Sequence, residues 1–182
     1  NEEYSNRAKD ITVRLQKGEE KYKKAWEKIM KVSVADLKKN YDALDVHFEI
    51  WKGESDAEPY FPRLIEILEE KGLSYRSNGA LVVDIAEPED KKELPPCMIL
   101  KSDGASLYST SDLGTIMDRE KCYPKDWYLY IADSRQDLHY TSFFRVARKA
   151  ELLPKTTKMN FLGFGTMNGK DGKPFKTRDG GV

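Results

Sequence analysis

Between residues 97 and 163, short apolar runs alternate with amphipathic helical stretches, and this alternation constrains the fold more than any other feature of the chain. The runs Cys97–Leu100 and Trp127–Ile131 have the composition of buried strands, and Met159–Gly163 is predicted to form a third strand. Strands that alternate with helices predict a parallel sheet built of right-handed crossovers. The sequence therefore predicts an α/β fold here, with ligands at the carboxyl ends of the strands.

The residues before this region predict a helical segment and a small mixed segment. Residues 1–44 have the pattern of three amphipathic helices, with Ser33 as the expected N-cap of the third. The charged residues between the apolar positions fit a solvated face, and a surface facing nucleic acid is the alternative. The alternating run Val46–Trp51 predicts a half-buried strand. A helix ending at Gly72 and a hairpin turn at Ser77–Gly79 are expected next.

Composition excludes several classes of function. The chain has 182 residues, with 31 Lys and Arg against 31 Asp and Glu, so its net charge gives no sign of a nucleic-acid partner. Two distant cysteines, Cys97 and Cys122, do not predict a structural zinc site, and they fit a reduced, cytoplasmic setting. No apolar run approaches the roughly 18 residues of a membrane span. The chain opens inside a charged helical pattern, so we expect it to be a piece of a longer protein.

Tyr108 and Asp112 lie four residues apart at the start of a predicted helix, with Thr110 or Ser111 as the expected N-cap. A carboxylate there can stabilise the helix terminus. It can also pair with a cationic ligand, and a planar guanidinium matches a carboxylate side-on. Pattern alone leaves both interpretations open, and it does not choose arginine over lysine.

Gln136 and His139 follow the next predicted strand, at the same edge of the sheet. The amide of Gln136 can add a carbonyl oxygen to a site that binds a cation. His139 is suited to hydrogen-bond a phosphate or a ribose, and an ordinary histidine at a helix start is the alternative.

The tail after residue 163 is rich in glycine and lysine. Its glycine spacing does not match a Walker A loop, and Asp171 stands where that motif carries Ser or Thr. Its basic residues suit a loop that closes over phosphates. A plain surface hairpin is the alternative. The basic residues are Lys170, Lys173, Lys176 and Arg178.

Three runs of the chain resemble the class I arginyl-tRNA synthetases: Lys101-Ser-Asp-Gly-Ala-Ser-Leu-Tyr-Ser-Thr-Ser-Asp-Leu113, Asp133-Ser-Arg-Gln-Asp-Leu-His139, and Gly163-Phe-Gly continuing to Gly-Lys-Pro-Phe-Lys-Thr-Arg-Asp-Gly-Gly181. The runs at 44–55 and 79–83 extend the similarity in the same order. The resemblance implies the second half of the Rossmann-like nucleotide-binding parallel sheet of a synthetase, with a helical lead-in and a small α+β insertion. It implies four parts of one catalytic domain: a lead-in with the first strand (1–53), a connective insertion (54–101), the half-fold (102–164) and a signature loop (165–182).

The resemblance also implies a function. Such enzymes activate L-arginine with ATP and Mg²⁺ and transfer it to tRNA(Arg) in the cytoplasm, often as monomers, without a metal held by the protein. By position, the implied ligands of arginine are Tyr108, Asp112 and Gln136. The residues implied for ATP are His139, Gly163, Gly165, Lys173 and Thr177, and those implied for charge stabilisation by the signature loop are Lys176 and Arg178.

Two departures from the family pattern limit the expected activity. The signature loop is Phe175-Lys-Thr-Arg178 instead of Lys-Met-Ser-Lys-Ser. The histidine motif that binds ATP in the first half of the fold and the helical anticodon-binding region are both missing. We therefore predict that this chain alone does not form the adenylate. The alternatives are a non-catalytic module that binds arginine or a partner, and a structural fragment without ligand affinity.

Overall fold

The computed structural model describes residues 2–166, 168–169 and 172–173. The chain divides into two compact units, Asn1–Lys52 and Gly53–Val182. None of the helices in the described part of the chain has the length and apolar composition needed to cross a membrane.

The first unit contains two helices, α1 (Glu2–Gln16) and α2 (Glu20–Ala43), and no residue of either is buried. The prediction of three helices is wrong, because the second and third form one continuous helix with Ser33 in its interior. No Gly or Pro interrupts the sequence around Ser33, so the backbone hydrogen bonds continue through it.

The predicted strand Val46–Trp51 is also wrong, since these residues form no strand. Phe48 and Trp51 instead pack edge-on against each other and against Tyr41 at the end of α2, with ring centroids 4.8–5.8 Å apart. Aromatic pairs of this geometry are stabilising in themselves. The alternation of apolar side chains therefore serves a local aromatic cluster and not a sheet.

The described part of the second unit contains two sheets, three α-helices and two short 3₁₀ helices. The antiparallel sheet has the strand order β1 (Ser74–Ser77), β2 (Ala80–Val83), β3 (Cys97–Leu100), and the parallel sheet pairs β4 (Trp127–Asp133) with β5 (Lys158–Phe164). In chain order the elements are a 3₁₀ helix Glu54–Tyr60, α3 (Phe61–Glu70), β1 (Ser74–Ser77), β2 (Ala80–Val83), β3 (Cys97–Leu100), α4 (Tyr108–Cys122), β4 (Trp127–Asp133), a 3₁₀ helix Ser134–Gln136, α5 (Asp137–Lys149) and β5 (Lys158–Phe164).

Two predicted turns are confirmed. Asn78 and Gly79 both have positive φ angles, 49° and 81°, as a two-residue hairpin turn between β1 and β2 requires. Gly72 has φ 63° and follows α3, and the amide of Leu73 donates to the carbonyl of Leu68 over 2.9 Å. This arrangement is a glycine-terminated helix end.

Cys97–Leu100 does form a strand, but it is not part of the parallel sheet. It pairs antiparallel with β2, with Val83 opposite Cys97. The charged loop between β2 and β3 contains no crossover helix, which is the usual connection between parallel strands. The parallel pairing predicted for the two later strands is confirmed, with Trp127 opposite Lys158 and α5 as their connection.

One hydrophobic core joins the antiparallel sheet to the three helices. β4 and β5 add only partly buried side chains to it, and the alternate residues of β4 are exposed, which differs from the predicted buried strand. The fully buried side chains include Leu64, Leu68, Val83, Ile85, Ile99, Leu113, Ile116, Phe143 and Val146.

Candidate functional site

A cavity of about 660 Å³ lies in the second unit, where α4 and α5 begin and β4 ends. Four residues singled out from the sequence, Tyr108, Asp112, Gln136 and His139, all line it. Glu54, Arg135 and Tyr140 complete the lining. The polar residues at the two strand–helix joins therefore surround one space.

The start of α4 sets the position of Tyr108 and Asp112. The expectation that Thr110 or Ser111 is the N-cap is wrong, because the helix begins at Tyr108 with Leu107 before it. The amide of Leu107 donates to the Thr110 hydroxyl over 3.1 Å, and that hydroxyl donates to the carbonyl of Ile99. The buried Thr110 thus ties the helix start to β3, and Tyr108 and Asp112 fall on one helix face.

The unpaired amides of a helix lie in its first turn. Asp112 is the fifth residue of α4 and therefore lies beyond that turn. Its Oδ2 is 2.6 Å from His139 Nε2, the third residue of α5. The side chains of Asp112 and His139 are 37% and 28% exposed. The carboxylate is therefore engaged with the imidazole at the cavity wall, and this geometry does not favour a role in stabilising the helix terminus.

Gln136 ends the 3₁₀ helix that follows β4, and its neighbour Arg135 was not singled out from the sequence. The Asp133 carboxylate accepts from Nε and Nη2 of Arg135 over 2.8 and 2.9 Å, and from the Thr166 hydroxyl over 2.8 Å. The Arg135 guanidinium holds the pKa of Asp133 well below its usual value. The signal for Arg135 was its place between Asp133 and Gln136 in the same strand–helix join.

Aromatic rings of α5 support this wall of the cavity. The His139 ring lies 5.2 Å from that of Phe143 and 5.7 Å from that of Tyr140, centroid to centroid. Tyr140 stacks on Phe161 of β5 at 4.4 Å. Burial raises the pKa of Tyr140, and the negative charge of Asp112 raises it further.

Glu54 also lines the cavity, and the sequence did not predict it, because only the tertiary structure brings this residue there. It opens the 3₁₀ helix that packs against α4, and Gly114 allows this close approach. A Cβ at Gly114 would lie 3.0 Å from the carbonyl oxygen of Ala57.

The residues implied for ATP do not gather in the same way. Of Gly163, Gly165 and Lys173, none lines the cavity. A Cβ at Gly163 would lie 2.9 Å from Ser134 Cα, so this glycine lets β5 approach the segment after β4, whereas Gly165 faces open space. The carbonyl of Lys173 accepts from the amide of Gly169 over 2.8 Å. Lys176, Thr177 and Arg178 lie outside the described residues.

A metal ion is held by a group of acidic, histidine or cysteine side chains. In residues 2–166, 168–169 and 172–173, no three of these side chains are grouped so that they could hold a metal ion.

Known proteins similar to the chain point in one direction. The sequence model of the family described as "tRNA synthetases class I (R), catalytic domain" matches residues 1–182. An arginine–tRNA ligase of Agathobacter rectalis is 56% identical over 181 residues, which cover 100% of this chain and 30% of that protein. One of Alkaliphilus oremlandii is 48% identical over 96% of this chain and 30% of its own length. The chain thus spans about 30% of the length of these curated relatives.

Solved structures agree on the fold. The arginyl-tRNA synthetase of Plasmodium falciparum superposes with a TM-score of 0.77 at 24% identity, over 91% of this chain and 28% of that one. A putative arginyl-tRNA synthetase of Campylobacter jejuni gives a TM-score of 0.60 at 17% identity, over 85% of this chain and 37% of that one. With the family model matched from end to end, the chain belongs to the catalytic-domain family of the class I tRNA synthetases for arginine.

Proposed function

We propose that this chain is the arginine-recognising part of an arginine–tRNA ligase, an enzyme that converts L-arginine and ATP to arginyl-adenylate and transfers the arginine to tRNA(Arg). The observation that carries the proposal is the grouping of Tyr108, Asp112 and Gln136 around one cavity of about 660 Å³. These are the residue types that bind a guanidinium: a carboxylate, an amide oxygen, and a phenol with its ring face.

The charges at the cavity favour a cationic ligand. Asp112 and Glu54 supply two carboxylates, and Arg135 supplies one positive charge. The guanidinium of Arg135 is already paired with both carboxylate oxygens of Asp133. The cavity therefore presents two carboxylates to a ligand, and its one guanidinium is already neutralised by Asp133. This excess of negative charge favours a cationic ligand.

In this proposal the residues that the resemblance assigns to the nucleotide bind ATP and stabilise charge while the adenylyl group is transferred to arginine and pyrophosphate leaves. Gly163, Gly165, Lys173 and Thr177 are assigned to ATP, whose Mg²⁺ enters with the nucleotide, and Lys176 and Arg178 to charge stabilisation. His139 belongs to the group that the resemblance assigns to ATP, but its contact is with Asp112. Adenylate formation requires positioning and charge stabilisation and no covalent nucleophile from the protein. The free thiols of Cys97 and Cys122 are consistent with action in the cytoplasm.

Titration calorimetry with L-arginine, L-citrulline and L-lysine tests the arginine site. We expect arginine to bind more tightly than citrulline, which has a similar shape without the charge. Asp112→Asn should weaken arginine binding by about 2–5 kcal/mol, the usual effect of removing one partner of a hydrogen-bonded charge pair. Asp126→Asn, an exposed change just before β4, is the matched control. Equal affinity for arginine and citrulline would contradict the proposal.

Arginine-dependent pyrophosphate exchange tests whether this chain alone can form the adenylate. We expect the 182-residue chain to bind arginine without catalysing this exchange, because the first half of the nucleotide fold is not in its sequence. Exchange by this chain alone would show that its residues suffice for adenylate formation. Failure to bind arginine would remove the recognition role itself.

A further inference from the structure

We propose that His139 is a positioning residue of the arginine site, which holds the Asp112 carboxylate in the orientation that receives the guanidinium. The inference rests on the proposed function and deepens it. It differs from the role that the resemblance implies for His139, which is contact with ATP. The observation behind it is the 2.6 Å hydrogen bond between His139 Nε2 and Asp112 Oδ2.

The chemistry of the pair fixes where the proton lies. An ionised carboxylate only accepts hydrogen bonds, so Nε2 of His139 is the donor and carries a hydrogen. A separation of 2.6 Å is short for an N–H···O contact, and hydrogen bonds to an ionised group are both shorter and stronger than neutral ones. The contact therefore selects one tautomer of the imidazole and one rotamer of the carboxylate.

The contact joins two helices that are fixed in the core. Asp112 precedes Leu113 on α4, and His139 lies one turn before Phe143 on α5. Both Leu113 and Phe143 are fully buried. Since the His139 ring also lies against Phe143 at 5.2 Å, neither partner can leave the contact without losing packing or a hydrogen bond.

The contact leaves most of the carboxylate available to a ligand. Each carboxylate oxygen has two lone pairs, and His139 occupies one of these four sites. A guanidinium that binds side-on needs one lone pair on each oxygen. His139 can therefore orient the Asp112 carboxylate and remain bonded to it while arginine is present.

Calorimetric titration of arginine into the 182-residue chain tests this role with two variants. His139→Phe keeps a ring of similar size and removes the donor, and we expect its affinity for arginine to fall by roughly tenfold. His139→Gln restores a side-chain N–H, and its affinity should stay within about threefold of that of the original chain. If the His139 ring acted only through packing, His139→Gln, which removes the ring, would weaken arginine binding more than His139→Phe. That result would overturn the inference.

Two further outcomes of the titration also overturn the inference. One is unchanged arginine affinity in His139→Phe, and the other is a loss confined to the binding of ATP with Mg²⁺. Failure of the original chain to bind arginine would contradict the proposed function instead, and the positioning contact is then tested without ligand. For that purpose the imidazole nitrogens are observed by ¹⁵N NMR in the ligand-free chain. We expect the Nε2 proton to be present and its resonance to shift in Asp112→Asn; an imidazole protonated only at Nδ1 overturns the inference.

Discussion

The antiparallel sheet β1–β3 and the parallel pair β4–β5 differ in how they are buried. Every residue of β2 is buried. On β4, by contrast, Trp127, Leu129 and Ile131 are 59%, 47% and 66% exposed. The stability of the second unit is therefore concentrated in the antiparallel sheet and the three helices packed on it. The parallel pair is held by one face, and the candidate site lies where that face meets the starts of α4 and α5.

The largest effect should follow from a change in the shared core. Phe143 is fully buried on α5 and packs with Tyr130 of β4 at 5.7 Å between ring centroids. We expect Phe143→Ala to lower the free energy of unfolding by about 3–5 kcal/mol, because it leaves a cavity among packed side chains. Urea denaturation followed by circular dichroism measures this. A loss below about 1 kcal/mol would show that the core does not depend on α5.

A smaller effect is expected where the parallel pair is attached. A methyl group at Gly163 would meet Ser134 Cα at 2.9 Å, which is backbone and cannot rotate away. We expect Gly163→Ala to cost about 1–3 kcal/mol of unfolding free energy. Gly165→Ala is the matched control, since among the described residues no atom beyond its chain neighbours lies within 4 Å of its added methyl group. Equal effects of the two changes would mean that β5 does not need this close approach.

The loop between β2 and β3 should make stability depend on pH. Arg145 of α5 donates two hydrogen bonds of 2.6 Å to Asp90, which lowers the pKa of that carboxyl from its usual 3.8 to about 2. Because the pKa is depressed in the folded state, the contribution is complete above about pH 4 and is lost as the pH falls towards 2.

Asp90→Asn removes this contribution. The difference in unfolding free energy between the original chain and Asp90→Asn should therefore shrink as the pH falls from 5 to 2, as measured by urea midpoints across that range. Glu69→Gln, an exposed change on α3, should show no such convergence. A difference that stays constant with pH would show that Asp90 does not contribute to the loss of stability at low pH.

The smallest effect should come from the exposed face of β4. Ile131 is 66% exposed, so Ile131→Ala removes little buried surface. We expect a change within about 0.5 kcal/mol in the free energy of unfolding. A loss comparable to that of Phe143→Ala would mean that both faces of the parallel pair are buried in solution, which would contradict the difference in burial between the two sheets.

Much of the local structure could be predicted from the sequence. The turn at Asn78–Gly79 and the helix end at Gly72 were predictable because few residues adopt positive φ without strain. The pairing of β4 with β5 followed from the helix between them. The grouping of Tyr108, Asp112, Gln136 and His139 around one cavity followed from the general rule for strand ends in α/β folds.

Other features depended on partners that no local pattern identifies. Val46–Trp51 alternates like a strand, but its aromatic rings meet Tyr41 instead of a neighbouring strand. Ser33 resembles a helix cap, but the continuous backbone bonding of α2 passes through it. Glu54 lines the cavity only because Gly114 permits the 3₁₀ helix to approach α4. Ring packing and close approach depend on residues elsewhere in the chain, whereas the continuity of α2 follows from the absence of Gly and Pro around Ser33.

The carboxylate of Asp133 links the end of β5 to the cavity wall through hydrogen bonds. It accepts from Thr166, just past β5, and from Arg135, which faces the cavity. Gly163 also lies close to Ser134, where a Cβ would come within 2.9 Å of the Ser134 Cα. The end of β5 is thereby joined to the residue next to Gln136 by hydrogen bonds as well as by close packing.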